Sequence, residues 1–274
     1  MLVPFVLAAL SLTSFALMLW QWIEGWLFPL HHRRPTPACT PPVTLLKPLK
    51  GADNQTEACL RSWFEQDYPA PAVAIVQRLL QQFGNADARL IVCPRRLGAN
   101  PKVSTLIQLE SHARHDLLVI SDADVRAPHD LLGQLAARFA DSDIGLVNTL
   151  YRVLAPATFA ARWEAVAVNA DFWTSVLQSR RIEPTRFALG AVMAVPRSLV
   201  QQIGGFKALA DHLADDFELG RRIADLGRSV QLCPAVVDCC HSNENPTAVW
   251  KRQLRWARTI RACRPASYGL SILA

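Results

Sequence analysis

The chain has 274 residues, of which 51% are hydrophobic and 19% are charged, and its formal net charge is +6. This length allows one or two domains with a hydrophobic core, and it excludes a disulfide-stapled mini-protein and a disordered tail. Because the charged fraction is below the roughly 25% that is usual, part of the chain is expected to expose apolar surface. The cysteine count is seven, an odd number, which favours a reducing compartment.

The apolar excess lies largely at the N-terminus. Leu2 to Trp20 contains no charged residue, and the stretch up to Leu30 has a single charge, Glu24, and three tryptophans. A helix of this length nearly spans the roughly 30 Å hydrocarbon core of a bilayer, and tryptophans at its end are typical of the interface. We therefore predict a transmembrane anchor at residues 1–30. The alternatives are a buried soluble helix and a cleaved signal peptide, which would need a basic start that is missing before Arg33.

A basic and proline-rich linker, residues 31–42, follows the anchor. Its first four residues read HHRR. By the positive-inside rule this flank stays in the cytoplasm, so the rest of the chain is predicted to face the cytoplasm at the inner membrane. The prolines that follow are incompatible with a helix.

Strand and helix patterns alternate along the body of the chain. The predicted strands are Val43–Leu46, Ala88–Cys93, Asp116–Ser121 and Ile144–Thr149, and the predicted helices are Gln55–Gln66, Val73–Phe83, Lys102–Arg114 and Asp130–Ala140. The first half of the helix at 73–83 could instead be a strand. This alternation is typical of an α/β domain with a mostly parallel sheet, in which ligands bind at the carboxyl ends of strands.

Two carboxylates, Asp122 and Asp124, directly follow the predicted strand at 116–121. A turn there could direct both toward one cation. One or two carboxylates, completed by phosphate and water, commonly hold Mg²⁺ or Mn²⁺ beside a nucleotide diphosphate. A solvated turn is the alternative, because aspartate is frequent in turns.

A second acidic pair, Asp215 and Asp216, opens a helix pattern. The helix dipole alone would stabilise acids at this position. A carboxylate facing a pocket could instead act as a general base toward an attacking hydroxyl.

Tryptophans and arginines are combined at helical spacing between Trp250 and Arg261. Such a helix suits a membrane surface or a phosphate group, and a solvated charged face is the alternative. The triplet Cys239–His241 could bind a metal, but it lacks a partner pair at zinc-finger spacing, so a buried strand end is favoured. Since no nucleic-acid motif accompanies the basic charge, we predict no nucleic-acid partner.

Four motifs, in this order, resemble those of ceramide-glucosyltransferase-like enzymes. They are KPLKG at 47–51, the Asp122 and Asp124 pair, ADDF at 214–217 and RQLRW at 252–256. The bacterial branch that glycosylates hopanoids looks most similar, and the resemblance runs from about Val43 to Trp256. It implies a GT-A fold, with a mixed sheet flanked by helices, in a cytoplasmic domain at residues 43–264. The start of a C-terminal membrane region is then expected at 265–274, where relatives continue into further membrane helices.

The resemblance also implies a role for each matching residue. Asp122 and Asp124 would hold the divalent metal, and Asp216 would be the catalytic base of an inverting transfer. Contacts to the donor and its diphosphate would come from Lys50, Gly51, Asn100, Lys102, Arg252, Arg255 and Trp256. The implied reaction moves glucose or N-acetylglucosamine from a UDP-sugar to a hydroxyl of a hopanoid or ceramide-like lipid in the bilayer.

The chain departs from the family pattern after Tyr68. Relatives have a second strand there that ends in an acid contacting uracil, but this sequence has no acid between Asp67 and Asp87. We therefore expect that strand to be deleted, and the loss of one charged hydrogen bond would weaken UDP binding by about 1.5–3 kcal/mol. A catalytically degenerate membrane protein that keeps the fold and a polyprenyl-phosphate glycosyltransferase are the alternative functions.

Overall fold

A computed structural model describes residues 2–30, 32–33, 41–49, 55–64, 82, 89–154, 158–240 and 245–270. The chain forms two compact units. The helical unit comprises Met1–Pro29, Pro156–Glu183 and Asn243–Ala274, and the sheet unit comprises Leu30–Ala155 and Pro184–Ser242. The domain boundaries expected from the sequence stay a prediction.

The secondary structure of the described residues alternates between helices and strands. The helices are α1 (Leu2–Leu27), α2 (Thr56–Phe64), α3 (Pro101–Glu110), α4 (Leu131–Ala136), α5 (Phe159–Val166), α6 (Trp173–Ile182), α7 (Arg197–Gln202), α8 (Asp215–Asp225), α9 (Pro246–Cys263) and α10 (Pro265–Leu270). The strands are β1 (Val43–Leu46), β2 (Leu117–Ser121), β3 (Val125–Arg126), β4 (Ile144–Val153), β5 (Val192–Pro196) and β6 (Ser229–Cys239). Short 3₁₀ segments follow α4 and α7, and a π-helical segment, Ala167–Phe172, joins α5 to α6.

The sheet is mixed, with the strand order β1-β2-β5-β4-β6-β3. Strands β1 and β2 are parallel, as are β4 and β6, whereas β5 is antiparallel to both β2 and β4, and β3 is antiparallel to β6. The mostly parallel sheet that the alternation predicts is therefore wrong. Whether two strands are parallel depends on how the chain connects them. The alternation of helix and strand patterns does not distinguish a single crossover helix from a longer connection, such as the one between β4 and β5.

Two hydrophobic clusters cover the two faces of the sheet. Alternate residues of β2 point to opposite faces, so Val119 joins one cluster with Trp63, and Leu118 joins the other with Phe206. These side chains are almost fully buried. Burial on both faces fixes the register of β2, and with it the position of the acidic residues that follow.

Most of the elements predicted in the described part of the body are present. Strand β1 has the predicted bounds, α2 begins one residue later than predicted, and α3 and α4 are shorter than predicted. The strand predicted at 88–93 is wrong, because residues 89–93 form no strand; Leu90 and Val92 are 53% and 79% exposed, and no described strand pairs with them. The helix at 73–83, apart from Gln82, and the expected strand deletion lie outside the described residues.

Helix α1 contains an apolar stretch, Val3–Leu27, that is long enough to cross a membrane. Its C-terminal turns pack against α6. Glu24 forms an ion pair with Arg181 at 2.9 Å, and the Gln21 side chain donates to the Gln178 side chain at 3.2 Å. The predicted N-terminal apolar helix is therefore present.

Candidate active site

The carboxylates predicted to bind a metal lie on the turn that joins β2 to β3. The Asp122 amide donates to the Ala191 carbonyl at 3.1 Å, which ties the start of the turn to the strand region of β5. The Asp124 carbonyl accepts from the Cys240 amide at 2.9 Å and from the Cys59 thiol at 3.3 Å. Backbone contacts thus hold both ends of the turn, and both acids stay partly exposed.

The ammonium group of Lys47 stabilises this turn. It donates to the Ser121 hydroxyl at 3.1 Å and to the carbonyls of Asp122 and Val125, and it lies 5.3 Å from the centre of the Trp63 ring. Burial lowers the pKa of Lys47 to about 8, against the opposing effect of nearby acidic groups. The sequence analysis used Lys47 only as part of a motif, and no spacing pattern indicated this role.

Lys102 links the two acidic pairs. Its ammonium lies 2.6 Å from Asp122 Oδ1 and 3.5 Å from Asp215 Oδ2, and it donates to the Gly190 carbonyl at 3.5 Å. The predicted donor-binding lysine therefore sits between the predicted metal ligands and the acids at the start of α8.

Asn100 fixes the helix that carries Lys102. Its side-chain oxygen accepts from the amides of Lys102 and Val103 at 3.0 and 3.2 Å, as an N-cap residue does. Its side-chain nitrogen donates to the His212 carbonyl at 2.9 Å and to Asp215 Oδ1 at 3.1 Å. Asn100 thereby connects the start of α3 to the start of α8.

Asp215 and Asp216 are adjacent in sequence but differ in their contacts. Asp215 is 8% exposed and is held by Lys102 and Asn100. Asp216 Oδ1 accepts from the Phe217 amide at 2.8 Å. Burial, together with the neighbouring Asp215 carboxylate, raises the pKa of Asp216 to about 6, and Lys102 opposes this shift. Asp216 therefore has the basicity that suits proton abstraction near neutral pH.

Gly190 packs directly against the Asp216 carboxylate. A Cβ atom at this position would lie 2.9 Å from Asp216 Oδ2, closer than an ordinary contact. The sequence analysis did not assign a function to Gly190, since a single glycine after an apolar residue gives no signal of its own.

The donor set at the β2–β3 turn suits a hard divalent cation. Carboxylate oxygens are the ligands that Mg²⁺ and Mn²⁺ prefer, and two of them leave room for diphosphate and water. Within the described ranges, no group of three or more His, Cys, Asp or Glu residues is placed to hold a metal. Asp122 and Asp124 thus fit an ion that shares its coordination with a diphosphate, provided that Lys102 releases Asp122 Oδ1.

The remaining predicted site residues lie either in the helical unit or outside the described residues. Arg252, Arg255 and Trp256 lie on α9 in the helical unit. Arg252 forms an ion pair with Glu164, Arg255 is exposed, and Trp256 is partly exposed. Lys50, Gly51 and His241 lie outside the described residues, and Cys239 is the buried last residue of β6.

One protein family matches nearly the whole sequence. The model of glycosyl transferase family 21 matches residues 3–274. The ceramide glucosyltransferase of Komagataella phaffii is 33% identical over 107 residues, which are 33% of this chain and 21% of that protein. Ceramide glucosyltransferase 3 of Caenorhabditis elegans is 22% identical over 251 residues, or 86% of this chain and 54% of that protein. The chain thus spans about half the length of this nematode relative.

Solved structures show the same fold at low sequence identity. A mannosyltransferase from Pyrobaculum calidifontis in complex with GDP-Man and Mn²⁺ superposes with a TM-score of 0.63, at 23% identity, over 92% of this chain and 72% of that one. GalNAc-T7 with UDP, GalNAc and Mn²⁺ gives a TM-score of 0.51, at 12% identity, over 74% and 43% of the two chains. The mixed sheet flanked by helices, expected from the GT-A resemblance, is therefore confirmed.

Proposed function

The chain belongs to glycosyl transferase family 21, and on this premise we propose that it is an inverting enzyme that transfers a sugar from a UDP-sugar to a hydroxyl of a membrane lipid. The observation that carries this proposal is the state of Asp216. A half-buried carboxylate whose pKa is raised to about 6, beside a cluster suited to a diphosphate, has the properties of the base that such a transfer needs.

Asp216 accepts the proton of the acceptor hydroxyl in the proposed mechanism. Its Oδ1 is held by the Phe217 amide, so the carboxylate is oriented before the acceptor arrives. Asp215 is already engaged by Lys102 and Asn100, and it acts through its charge by raising the basicity of its neighbour.

Asp122 and Asp124 would hold Mg²⁺ or Mn²⁺ together with the donor diphosphate. When bound, such an ion stabilises the negative charge that develops on the leaving UDP. The Lys102 ammonium, which lies between the two acidic pairs, can also stabilise the negative charge on the leaving UDP. The motif resemblance adds Arg252, Arg255 and Trp256 as diphosphate contacts, and Lys50 and Gly51 as contacts to the nucleotide.

The helical unit supports a lipid acceptor and a bilayer as partners. Helix α1 is long and apolar enough to span a membrane. The same unit exposes large apolar side chains on α5 and α9, including Phe159 at 86%, Trp163 at 52% and Trp250 at 60%. Aromatic side chains beside basic ones are typical of segments at a lipid surface. We place the catalytic residues on the cytoplasmic side of the inner membrane, as the basic flank at Arg33 favours.

The names of the relatives favour a ceramide-like acceptor and glucose as the sugar. A hopanoid acceptor and N-acetylglucosamine stay predictions from the resemblance. The experiment is sugar transfer from labelled UDP-glucose or UDP-N-acetylglucosamine to ceramide or hopanoid in vesicles, with Mg²⁺ or Mn²⁺, followed by product analysis.

The deciding variant is Asp216→Asn, with Asp143→Asn as the matched control because Asp143 is an exposed aspartate of the same unit. We expect Asp216→Asn to lower kcat by about 10²–10⁴-fold, the usual worth of a positioned base, and the control to be unchanged. Equal transfer by Asp216→Asn and the wild-type chain would remove Asp216 from this role. A wild-type chain that neither transfers sugar nor binds UDP with Mn²⁺ would favour the non-catalytic alternative, and a polyprenyl-phosphate product would favour the other one.

A further inference from the structure

Two cysteines from different parts of the sheet unit bond to the same backbone oxygen. Cys59 lies on α2, and Cys240 directly follows β6. The Cys59 thiol donates to the Asp124 carbonyl at 3.3 Å, and the Cys240 amide donates to the same oxygen at 2.9 Å. The two side chains are also hydrogen-bonded to each other, and both thiols are free. The fold therefore gives Cys240 a cysteine partner that the spacing of the triplet Cys239–His241 did not predict.

Both cysteines are carried by elements that pack on the short strand β3. On the side of α2, the Trp63 indole donates to the Val125 carbonyl at 3.0 Å. On the other side, Cys239 at the end of β6 pairs with Val125 in the antiparallel register. Because both elements are attached to the same residue of β3, they hold the sulfur atoms of Cys59 and Cys240 within contact of each other.

Cys240 is the member of the pair that keeps some exposure. It is 8% exposed, whereas Cys59 has 0% exposure. The hydrogen bond from Cys59 lowers the pKa of the Cys240 thiol against the opposing effect of burial, and the guanidinium of Arg126 adds to this lowering. A thiol beside a cationic group is the kind that oxidants attack, whereas a fully buried thiol is inert. Cys59 can therefore react only through its contact with Cys240.

We propose that Cys59 and Cys240 form a thiol–disulfide site that is oxidised by hydroperoxides. The Cys240 sulfur attacks the O–O bond of hydrogen peroxide, becomes a sulfenic acid and releases one water molecule. The Cys59 sulfur then attacks the Cys240 sulfur, so that an S–S bond forms and a second water molecule leaves with the remaining proton. Two thiols thus lose two electrons and two protons to the peroxide, and a small thiol restores them by exchange. In a reducing compartment such a disulfide would be transient.

The disulfide would change the turn that carries the proposed metal ligands. Once oxidised, Cys59 has no S–H group and cannot donate to the Asp124 carbonyl, which keeps the Cys240 amide as a donor. The loss of one such hydrogen bond should weaken the binding of Mn²⁺ with UDP by about two- to tenfold and slow sugar transfer. This effect rests on the proposed function, whereas the disulfide itself does not.

The first test maps the disulfide in the wild-type 274-residue chain, kept folded in detergent micelles and treated with hydrogen peroxide. Digestion with trypsin and Asp-N without reduction places Cys59 on the peptide 53–61 and Cys240 on the peptide 238–251, which also contains Cys239. We expect mass spectrometry to find these two peptides joined, with two free thiols lost per chain and both recovered with dithiothreitol. The joined peptides should persist in the control Cys239→Ala.

Three results of this mapping would overturn the proposal. Buried cysteines often serve only as small apolar side chains, and in that case peroxide would leave the pair reduced. Sulfinic or sulfonic acid on Cys240 without joined peptides would show that Cys59 does not reach it. Joined peptides that disappear in Cys239→Ala would assign the bond to Cys239 instead.

The second test separates the loss of the donor from the cross-link, using Cys59→Ser and Cys59→Ala. Cys59→Ser keeps a hydroxyl donor for the Asp124 carbonyl and cannot form a disulfide, so its affinity for Mn²⁺ with UDP should match reduced wild type and resist peroxide. Cys59→Ala lacks the donor, so its affinity should be about two- to tenfold weaker with or without peroxide. A thermal melt of each variant checks that it is folded. If peroxide weakens binding in folded Cys59→Ser, oxidation acts elsewhere and the link to the turn is wrong.

The two readouts keep this proposal separate from the proposed function. A wild-type chain that joins Cys59 to Cys240 but neither transfers sugar nor binds UDP with Mn²⁺ would overturn the proposed function and leave the disulfide site. Active enzyme in which peroxide joins no peptides would overturn only the disulfide site. A fully joined pair with unchanged transfer would overturn the effect on the turn.

Discussion

Replacing Gly190 with alanine tests how closely the base is positioned. The new Cβ would lie 2.9 Å from Asp216 Oδ2, about 0.5 Å inside the 3.4 Å at which ordinary contacts begin. The carboxylate is the end of a side chain and can move, so we expect it to shift by a few tenths of an ångström with little loss of folding stability. A misplacement of 1 Å can cost about 10²-fold in rate, so a shift of half that size should lower kcat by about tenfold.

The assay is single-turnover transfer from labelled UDP-sugar at saturating donor, paired with a thermal melt. Gly269→Ala is the matched control, because a Cβ at Gly269 meets nothing within 4 Å. The reasoning requires a slower transfer at an unchanged melting temperature. Wild-type kcat in Gly190→Ala would show that the position of Asp216 does not limit the reaction, and a large fall in melting temperature would show that the contact is structural.

The remaining predictions concern the charges of the site. Because Asp216 has a pKa of about 6 and acts when deprotonated, kcat/KM should rise with pH around a midpoint near 6, and this limb should be absent in Asp216→Asn. Lys102→Met removes the positive charge that lowers the pKa of Asp216 and Asp122, so the pH midpoint of kcat/KM should rise in this variant. A fall in that midpoint would contradict the position of Lys102 between the two acids. Lys47→Met removes the charged donor to the carbonyls of Asp122 and Val125, which keep the Ser121 hydroxyl and the Trp63 indole as donors. The loss of hydrogen bonds from a charged group costs about 1.5–3 kcal/mol, so the melting temperature should fall by several degrees and Mn²⁺ binding measured by calorimetry should weaken. An unchanged Mn²⁺ affinity would show that Lys47 does not shape the turn.

Part of the site could be predicted because local sequence specifies it. An apolar run that ends in Asp122 and Asp124 places both acids at the end of a buried strand, and Asn100 before a proline is a good helix start. The position of the two acids is as expected from the sequence, whereas the helix predicted from Lys102 begins one residue earlier, at Pro101, and the N-cap role of Asn100 was not predicted. The roles of these residues were expected from the motifs and stay predictions.

Other features depend on long-range packing and have no local signal. The apolar run at 89–93 resembles a strand, but strand formation needs a neighbouring strand, and none of the described strands lies beside it. The contacts of Lys47 with the β2–β3 turn and of Glu164 with Arg252 join residues more than 70 positions apart. Neither could be predicted from spacing within a single element.

The different contacts of Asp215 and Asp216 show why sequence alone does not identify the proposed base. Both residues open the same helix, and the dipole of that helix acts on each of them. Their difference arises from partners elsewhere in the chain: Lys102 and Asn100 reach Asp215, whereas Asp216 faces Gly190. The Asp215 carboxylate is thus engaged by an ammonium and a side-chain amide, whereas Asp216 Oδ1 accepts from the Phe217 amide at the start of the same helix. The partners of Asp215 come from a distant part of the chain, so the sequence of the helix alone does not separate the two aspartates, and Asp216 is the one that we propose as the base.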